Sequence, residues 1–501
     1  MAVPWCRSRL PLILLATGVG LRVFAVVHFP VASDAAEYAV LSTSILEGHG
    51  MWLPLGEYWE LDTWAPRPSH HYPPVYPIYL VPFLAAFGPG TFATQAAAFA
   101  AALGLLAVFY RATASLFGRD KAMWFVGLLA LDPVLIATTG TGYAENLVTL
   151  LFVVTIAAIL KSLTRPHWIL AAGFAAGLAY LAKSSIGPFF LIAGVAGFAW
   201  RFHFVRWGVL KDRAYLAAIA LFGAFAGSWA ARNFAHFWDG SARGLWTAWQ
   251  SSEWFTLATD AAVSRPLDML GILAIRLPFF AGLFLLVAGP WWREIRHLPF
   301  RTDASASALG LAVGLTYVLA WLISGVLWVI ERSPLFWADM SRYVVFANPI
   351  VWWMAAKRAD PASPSFRRRA SLAAAVLLTV NAAAFLMPQG GVFEAYGTIR
   401  DRAQEGETVA LDHVPKYEAM IHLAGTGVVL EPYADSVRAE YVLTTNVTRA
   451  YDGYRIVDVY GEANGTAVLP SFPAALWIRA DRVDGPRTGE REAAGRAGSE
   501  I

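Results

Sequence analysis

The sequence predicts an α-helical polytopic membrane protein with about eleven transmembrane helices, interfacial helices in the first exterior loop, and a small C-terminal α/β soluble domain. Three observations predict it. Of 501 residues, 57% are hydrophobic and only 15% are charged, and the mean hydropathy is +0.49, whereas a soluble chain carries about a quarter charged residues. The missing charge is replaced by many apolar runs long enough to cross a bilayer. Basic residues gather in alternate loops, which is the sorting expected of a chain threaded back and forth through a membrane.

Taken in order, the spans fall at 10–29, 91–110, 122–139, 144–160, 168–182, 186–200, 214–231, 269–291, 307–330, 340–356 and 370–387. Arg7 and Arg9 before the first run mimic a secretory signal, but no small-x-small cleavage site follows, so a retained first helix is expected. One set of loops holds Arg111, Arg119 and Lys121, then Lys161 and Arg165, then Arg201, Arg206, Lys211 and Arg213. It continues through Arg293, Arg296 and Arg301 to Lys357, Arg358, Arg367, Arg368 and Arg369. The positive-inside rule makes that side the cytoplasm. The opposite side receives the long loop 30–90 and most of the acids near helix ends, including Asp34, Glu37, Glu145 and Glu331. The expected location is a bacterial cytoplasmic membrane, with the chemistry facing the periplasm or exterior.

Within the first exterior loop, Tyr38, Leu41, Ile45 and Leu46 recur at helical spacing, so Asp34–Leu46 reads as a helix lying on the membrane surface. The run from Val75 to Phe87 is apolar, has Pro74 at its start and ends at Gly88-Pro89-Gly90. It is too short to span and reads as interfacial or re-entrant. The expected organisation is a membrane catalytic domain over 1–387, an exterior α/β domain over 388–482 and a disordered tail over 483–501. In the α/β part, strand-like runs lie at 409–411, 427–430, 441–443, 455–460 and 474–478, with helical stretches at 393–404 and 415–424.

Some functions are excluded or left without support at this point. The net charge of +3 is small for this length and implies no nucleic-acid partner. The single cysteine, Cys6, permits neither an internal disulfide nor a zinc site built on cysteine. Membrane lipids are the partner the composition demands.

The chemistry-bearing pieces are Asp34-x-x-Glu37-Tyr38 after the first span, His70-His71-Tyr72-Pro73-Pro74 before the second loop helix, and Gly142-Tyr143-Ala144-Glu145-Asn146 at the mouth of the fourth span. A carboxylate at the membrane face loses hydration and is costly without a partner or a task. It could serve as general base toward a hydroxyl. Lys183, Arg232 and Arg342 stand at exterior helix ends, where cations could stabilise charge growing on a leaving phosphate. Tyr38, His70, His71 and Tyr72 complete the set as substrate-binding candidates. Simpler readings stand beside these. Asp34 and Glu37 could form a capping box, Glu145 could cap its helix, and the three cations could be snorkelling or interfacial anchors. His70 and His71 with Asp34 offer ligands a divalent metal could use, but no cofactor is required by the pattern. Arg22 and Arg276 lie inside apolar spans with no role assigned.

These pieces, with Ala182-Lys183, Trp229-Ala230-Ala231-Arg232-Asn233, Ser341-Arg342-Tyr343 and Asn348-Pro349, resemble the GT-C superfamily of glycosyltransferases. The branch they resemble most uses polyprenyl-phosphate sugars and includes the lipid A aminoarabinose transferases and protein O-mannosyltransferases. The resemblance covers most of residues 1–350. It implies an inverting transfer from a polyprenyl monophosphate sugar to the hydroxyl of a lipid, glycan or protein acceptor at the outer membrane face, with Asp34 as base. Glu37 stands where the aminoarabinose transferases have a basic residue, His70-His71-Tyr72 replaces their Glu-Lys before the paired prolines, and Ala35 follows Asp34 where the mannosyltransferases have a second acid. The sugar and acceptor of those relatives are therefore not carried over. Three other readings remain: a transporter or flippase of lipid-linked sugars, which would place ionisable residues at the midplane of two related halves, an oligosaccharide transferase or ligase with a pyrophosphate-linked donor, and a non-catalytic membrane scaffold that presents the tail domain.

Overall fold

The computed structural model of the chain describes residues 9–31, 34–55, 66–69, 72–162, 165–184, 212–237, 345–386, 391–412, 414, 416–434, 439–444, 451, 454–460 and 474–479. The chain divides into two compact units, one of Met1–Pro54 with Pro66–Met387 and the other of Leu55–Ala65 with Pro388–Ile501.

The first unit is helical. Among the described residues, four helices are long and apolar enough to cross a membrane: α1 (Arg9–His28), α4 (Thr91–Phe117), α7 (Glu145–Ser162) and α9 (Arg213–Phe237), the last over Arg213–Ala235. Their length and composition, with the shorter apolar helices beside them, are those of a polytopic membrane protein. The expected spans at 186–200, 269–291 and 307–330 lie outside the described residues, as does Arg276. In the first loop, α2 (Asp34–Leu46) and α3 (Val75–Phe87) have 13 residues each. Between them β1 (Trp52–Leu53) pairs antiparallel with β2 (Arg67–Pro68). The helix α8 (Trp168–Ala182) is apolar but shorter than a full span. Toward the C-terminal end come α10 (Asn348–Arg358) and α11 (Pro364–Phe385). Here the expected loop assignment needs correction, because Arg367, Arg368 and Arg369 lie on α11. Arginine is a good helix former, and a helix can run past the apolar stretch that the hydropathy detects.

A second correction concerns the expected single span 122–139. It is two helices, α5 (Arg119–Ala130) and α6 (Pro133–Gly140), which meet at 55° and form one broken span if counted together. Pro133 is the cause, since it has no N–H to donate and its ring clashes with the preceding turn. In a membrane the freed backbone groups need other partners, and side chains supply them. The carboxylate Oδ1 of Asp132 accepts from the N–H groups of Val134 and Leu135, both at 3.0 Å. Asn348 Nδ2 on α10 donates to Asp132 Oδ2 at 2.6 Å, and Asn381 Nδ2 on α11 donates to the Leu131 carbonyl at 2.9 Å. Arg22 Nη1 on α1 donates to the Ala130 carbonyl and, at 3.0 Å, to that of Gly18. Arg22 thus acquires a role that its position in the sequence does not disclose.

The first helix lies close against this broken span because three glycines allow it. A side chain at Gly18 would collide with the Ala130 carbonyl, one at Gly127 would stand 2.9 Å from the Pro11 carbonyl, and one at Gly140 would stand 2.5 Å from the Ala25 carbonyl. Small residues at such crossings let backbones approach where lipid offers no hydrophobic drive for association.

The second unit carries a five-stranded sheet of order β4-β3-β5-β7-β6, with β3 (Thr408–Asp412), β4 (Val429–Pro432), β5 (Tyr441–Thr444), β6 (Tyr454–Tyr460) and β7 (Ala474–Arg479). The pairs β3–β4 and β3–β5 are parallel, while β5–β7 and β7–β6 are antiparallel. The helices α12 (Gly391–Arg402) and α13 (Lys416–His422) belong to the same unit. Tyr396 and Ile399 from α12 pack with Val409, Leu411, Tyr441 and Leu443 from the sheet in one buried cluster. Lys416 Nζ donates to the Leu55 carbonyl, and the Leu55 N–H donates to Tyr417 Oη at 3.2 Å, so a piece of the first loop is held here.

Candidate active site

Asp34 opens α2, directly after the loop that leaves α1, and Glu37 follows one helical turn later. Both are buried, Asp34 at 8% exposure and Glu37 at 0%. Tyr72 reaches Asp34 from the segment before α3, its Oη donating to Asp34 Oδ1 at 2.9 Å. Pro73 and Pro74 restrict the chain directly after Tyr72 and deliver it into α3. The Tyr72 ring meets Tyr38 edge-on at 4.6 Å, and Tyr38 in turn meets Tyr76 at 4.9 Å. Burial first, and then the neighbouring Asp34 and Glu37 carboxylates, push the Tyr72 phenol well above its ordinary range, so it remains a donor.

Glu145 arrives from the other side, as the first residue of α7 and only 2% exposed. The turn before it is fixed at Gly142, whose φ of 80° favours glycine and whose missing side chain would stand 2.8 Å from Thr94. Tyr76 Oη donates to the Gly142 carbonyl at 2.6 Å. Asn146 Nδ2 holds Thr138 Oγ1 at 3.2 Å and Thr139 Oγ1 at 3.1 Å, tying α7 to α6.

Lys183, in extended conformation just past the end of α8, joins the two carboxylates. Its Nζ lies 2.6 Å from Glu145 Oε1 and 3.6 Å from Asp34 Oδ2. All three side chains are nearly buried, so little solvent stands between them and the attraction is stronger than at a surface. One ammonium therefore neutralises part of two acids, while a phenol fixes the orientation of one of them.

Of the residues singled out in the sequence, Tyr72, Asp34, Lys183 and Glu145 are linked in that order by contacts, with Glu37 one turn along and Tyr38 packed against Tyr72. Arg232 is engaged with the loop: it donates to the Ser69 carbonyl and, at 3.0 Å, to Asn233 Oδ1, and stacks over Trp229 at 4.9 Å. Since Ser69 also pairs its N–H with the Met51 carbonyl at 2.9 Å, Arg232 steadies the strand that delivers Tyr72. His70, His71 and Arg342 lie outside the described residues. Among the described residues, no group of three His, Cys, Asp or Glu side chains is spaced to hold a metal. Sequence reasoning missed Gln95 and the bonds of Asn146; a polar residue such as Gln95 at the start of an apolar helix was the available signal.

The fold that carries this arrangement of short helices and buried acids beside apolar helices is similar to that of solved structures. The chain is similar to ArnT, the aminoarabinose transferase, from Cupriavidus metallidurans bound to undecaprenyl phosphate, with a TM-score of 0.59 and 14% identity over 97% of this chain and 100% of that one. The apo form of the same enzyme gives 0.58 and 14% over 95% and 99%. The Archaeoglobus fulgidus oligosaccharyltransferase gives 0.47 and 15% over 86% and 67%. At these identities what is shared is the fold. No protein-family model matches the chain, and no curated protein matches it by sequence.

Proposed function

We propose that this protein transfers a sugar from a polyprenyl-monophosphate donor to an acceptor hydroxyl at the outer face of a bacterial cytoplasmic membrane, with inversion at the sugar. The observation that carries the reading is the contact of Asp34 with both Tyr72 Oη and Lys183 Nζ, within a fold shared with an enzyme that binds undecaprenyl phosphate. The acceptor oxygen attacks the anomeric carbon as its proton passes to Asp34, and the bond to phosphate breaks with its electron pair leaving on the phosphate oxygen. Tyr72 and Lys183 hold the carboxylate in one orientation. Lys183 offsets the charge of Asp34 and Glu145, and Lys183, Arg342 and Arg232 are the cations proposed to meet the donor phosphate. Glu37 supports the helix start, and Tyr38 backs Tyr72. The positive-inside pattern supports an exterior site, and the 388–482 unit is proposed to select the acceptor.

The test is direct. Purified protein in lipid nanodiscs is given a panel of radiolabelled polyprenyl monophosphate sugars with membrane extract as acceptor source. Transfer from at least one member, with release of polyprenyl phosphate, is expected. Consumption only of pyrophosphate-linked donors would overturn the donor class.

A further inference from the structure

Gln95 lies in the first turns of α4, is 5% exposed, and makes contact with both segments that lead into the site. Its Nε2 donates to the Phe29 carbonyl at 2.8 Å and to the Gly140 carbonyl at 2.6 Å. A primary amide nitrogen has two hydrogens, so both bonds can be made at once by one group. Phe29 stands just past the end of α1, five residues before Asp34. Gly140 is the last residue of α6, five residues before Glu145. Carbonyls at helix ends lack a partner within their own helix. Here one side chain from a third helix satisfies two of them.

We infer that Gln95 is a positioning residue that sets the separation of the Asp34 and Glu145 segments, and through it the geometry in which Lys183 bridges the two carboxylates. The inference rests on the proposed transferase reading for its catalytic consequence, but the clamp itself stands on geometry. The ends of α1 and α6 are in direct contact, since a side chain at Gly140 would stand 2.7 Å from the Phe29 ring, so the amide closes a junction already packed tightly. Tyr76 Oη on the Gly142 carbonyl fixes the next turn toward Glu145. A lysine that reaches one acid at 2.6 Å and the other at 3.6 Å leaves little room for either segment to drift before the longer contact opens.

Two variants separate positioning from simple loss of packing. Gln95→Met keeps the volume and loses both donors. Gln95→Glu keeps the shape, but its ionised form turns an acceptor toward two carbonyl oxygens, whereas its protonated form regains one donor. The first measurement is hydrogen exchange by mass spectrometry on nanodisc-embedded protein. In Gln95→Met, peptides covering 34–46 and 143–150 are expected to exchange at least fivefold faster together, with α9 unchanged. Unchanged exchange in both segments would overturn the clamp whether or not the chain is a transferase. The second measurement is sugar transfer at saturating donor. Gln95→Met is expected to lower kcat ten- to a hundredfold with the donor KM within threefold, and Gln95→Glu to regain activity as pH falls. Wild-type kcat in both variants would overturn the catalytic consequence. If wild-type protein transfers no sugar from any donor while exchange still responds, the functional reading fails and the clamp survives.

Discussion

Two buried polar clusters lie in the membrane unit, and they are built for opposite ends. Around Asp132, the contacts run between side chains and the backbone or its cap: Arg22 and Asn381 donate to carbonyls, Asp132 accepts from two N–H groups, and Asn348 steadies Asp132. Around Lys183 the contacts run between side chains, with an ammonium, two carboxylates and a phenol supplied from helix ends and the segment before α3. The first cluster repairs a helix that a proline has broken. The second brings an ammonium and two carboxylates together. A buried charge that serves the backbone is structural by its geometry, whereas charges that face one another at helix ends are available for chemistry.

Substitutions should therefore separate activity from stability, and the largest effect is expected at the proposed base. Asp34→Asn preserves size and can still accept from Tyr72, yet cannot take a proton. Sugar transfer should fall by about a hundred- to ten-thousand-fold, while a circular-dichroism spectrum and unfolding midpoint stay near wild type. Near wild-type turnover would leave Asp34 as no more than a helix cap. Next comes Lys183→Met, which strands two buried carboxylates. Breaking a buried pair in this way costs about 3–5 kcal/mol, so both stability and transfer should suffer.

Asp132→Ala sharpens the contrast from the other side. Two N–H groups lose their acceptor, which should cost about 1–3 kcal/mol of stability, read as a lower unfolding midpoint in nanodiscs. The properly folded fraction should keep its donor KM, and a selective loss of donor binding would mean that the two clusters are one functional unit. The smallest effect belongs to Tyr72→Phe, which removes one hydrogen bond to a carboxylate and should slow transfer by roughly tenfold. It also has a pH signature. The buried phenol's proton is held well above the ordinary value of 10.0 in the folded chain. Below pH 10 both states are protonated and the contribution is fully present; above it the unfolded chain ionises first, so stability declines as pH rises. Wild type should lose stability above pH 10 more steeply than Tyr72→Phe, and parallel curves would count against the burial of this phenol.

Much of this architecture was legible in the sequence, for reasons that differ by element. The helices α2 and α3 show themselves because apolar residues recur at helical spacing between Pro, Gly and acidic boundaries. The strand runs at 409–411 and 441–443 fall within β3 and β5, whose short apolar runs bounded by turn residues are local signals. Asp34 stood out because an acid beside a membrane span is expensive. The break at Asp132-Pro133 was hidden, because a hydropathy window averages two polar or rigid residues into an apolar run. That Lys183 stands between two acids was not legible, because spacing along the chain does not disclose where α8 ends relative to Asp34 and Glu145. Gln95 was missed because its partners lie on α1 and α6, distant in sequence, and a single amide in an alanine-rich helix looks incidental.

The placement of Arg22 has a consequence for how the chain is made. The guanidinium sits on α1, while the Ala130 carbonyl it serves is 108 residues downstream. At about 5–20 residues per second, the ribosome delivers that partner roughly 5 to 20 s after Arg22 itself. During that interval the arginine has neither the carbonyl nor Asp132, and a charge at such depth is poorly tolerated by lipid. The seating of α1 against α5 and α6 is therefore completed only after residues far downstream of it have been made.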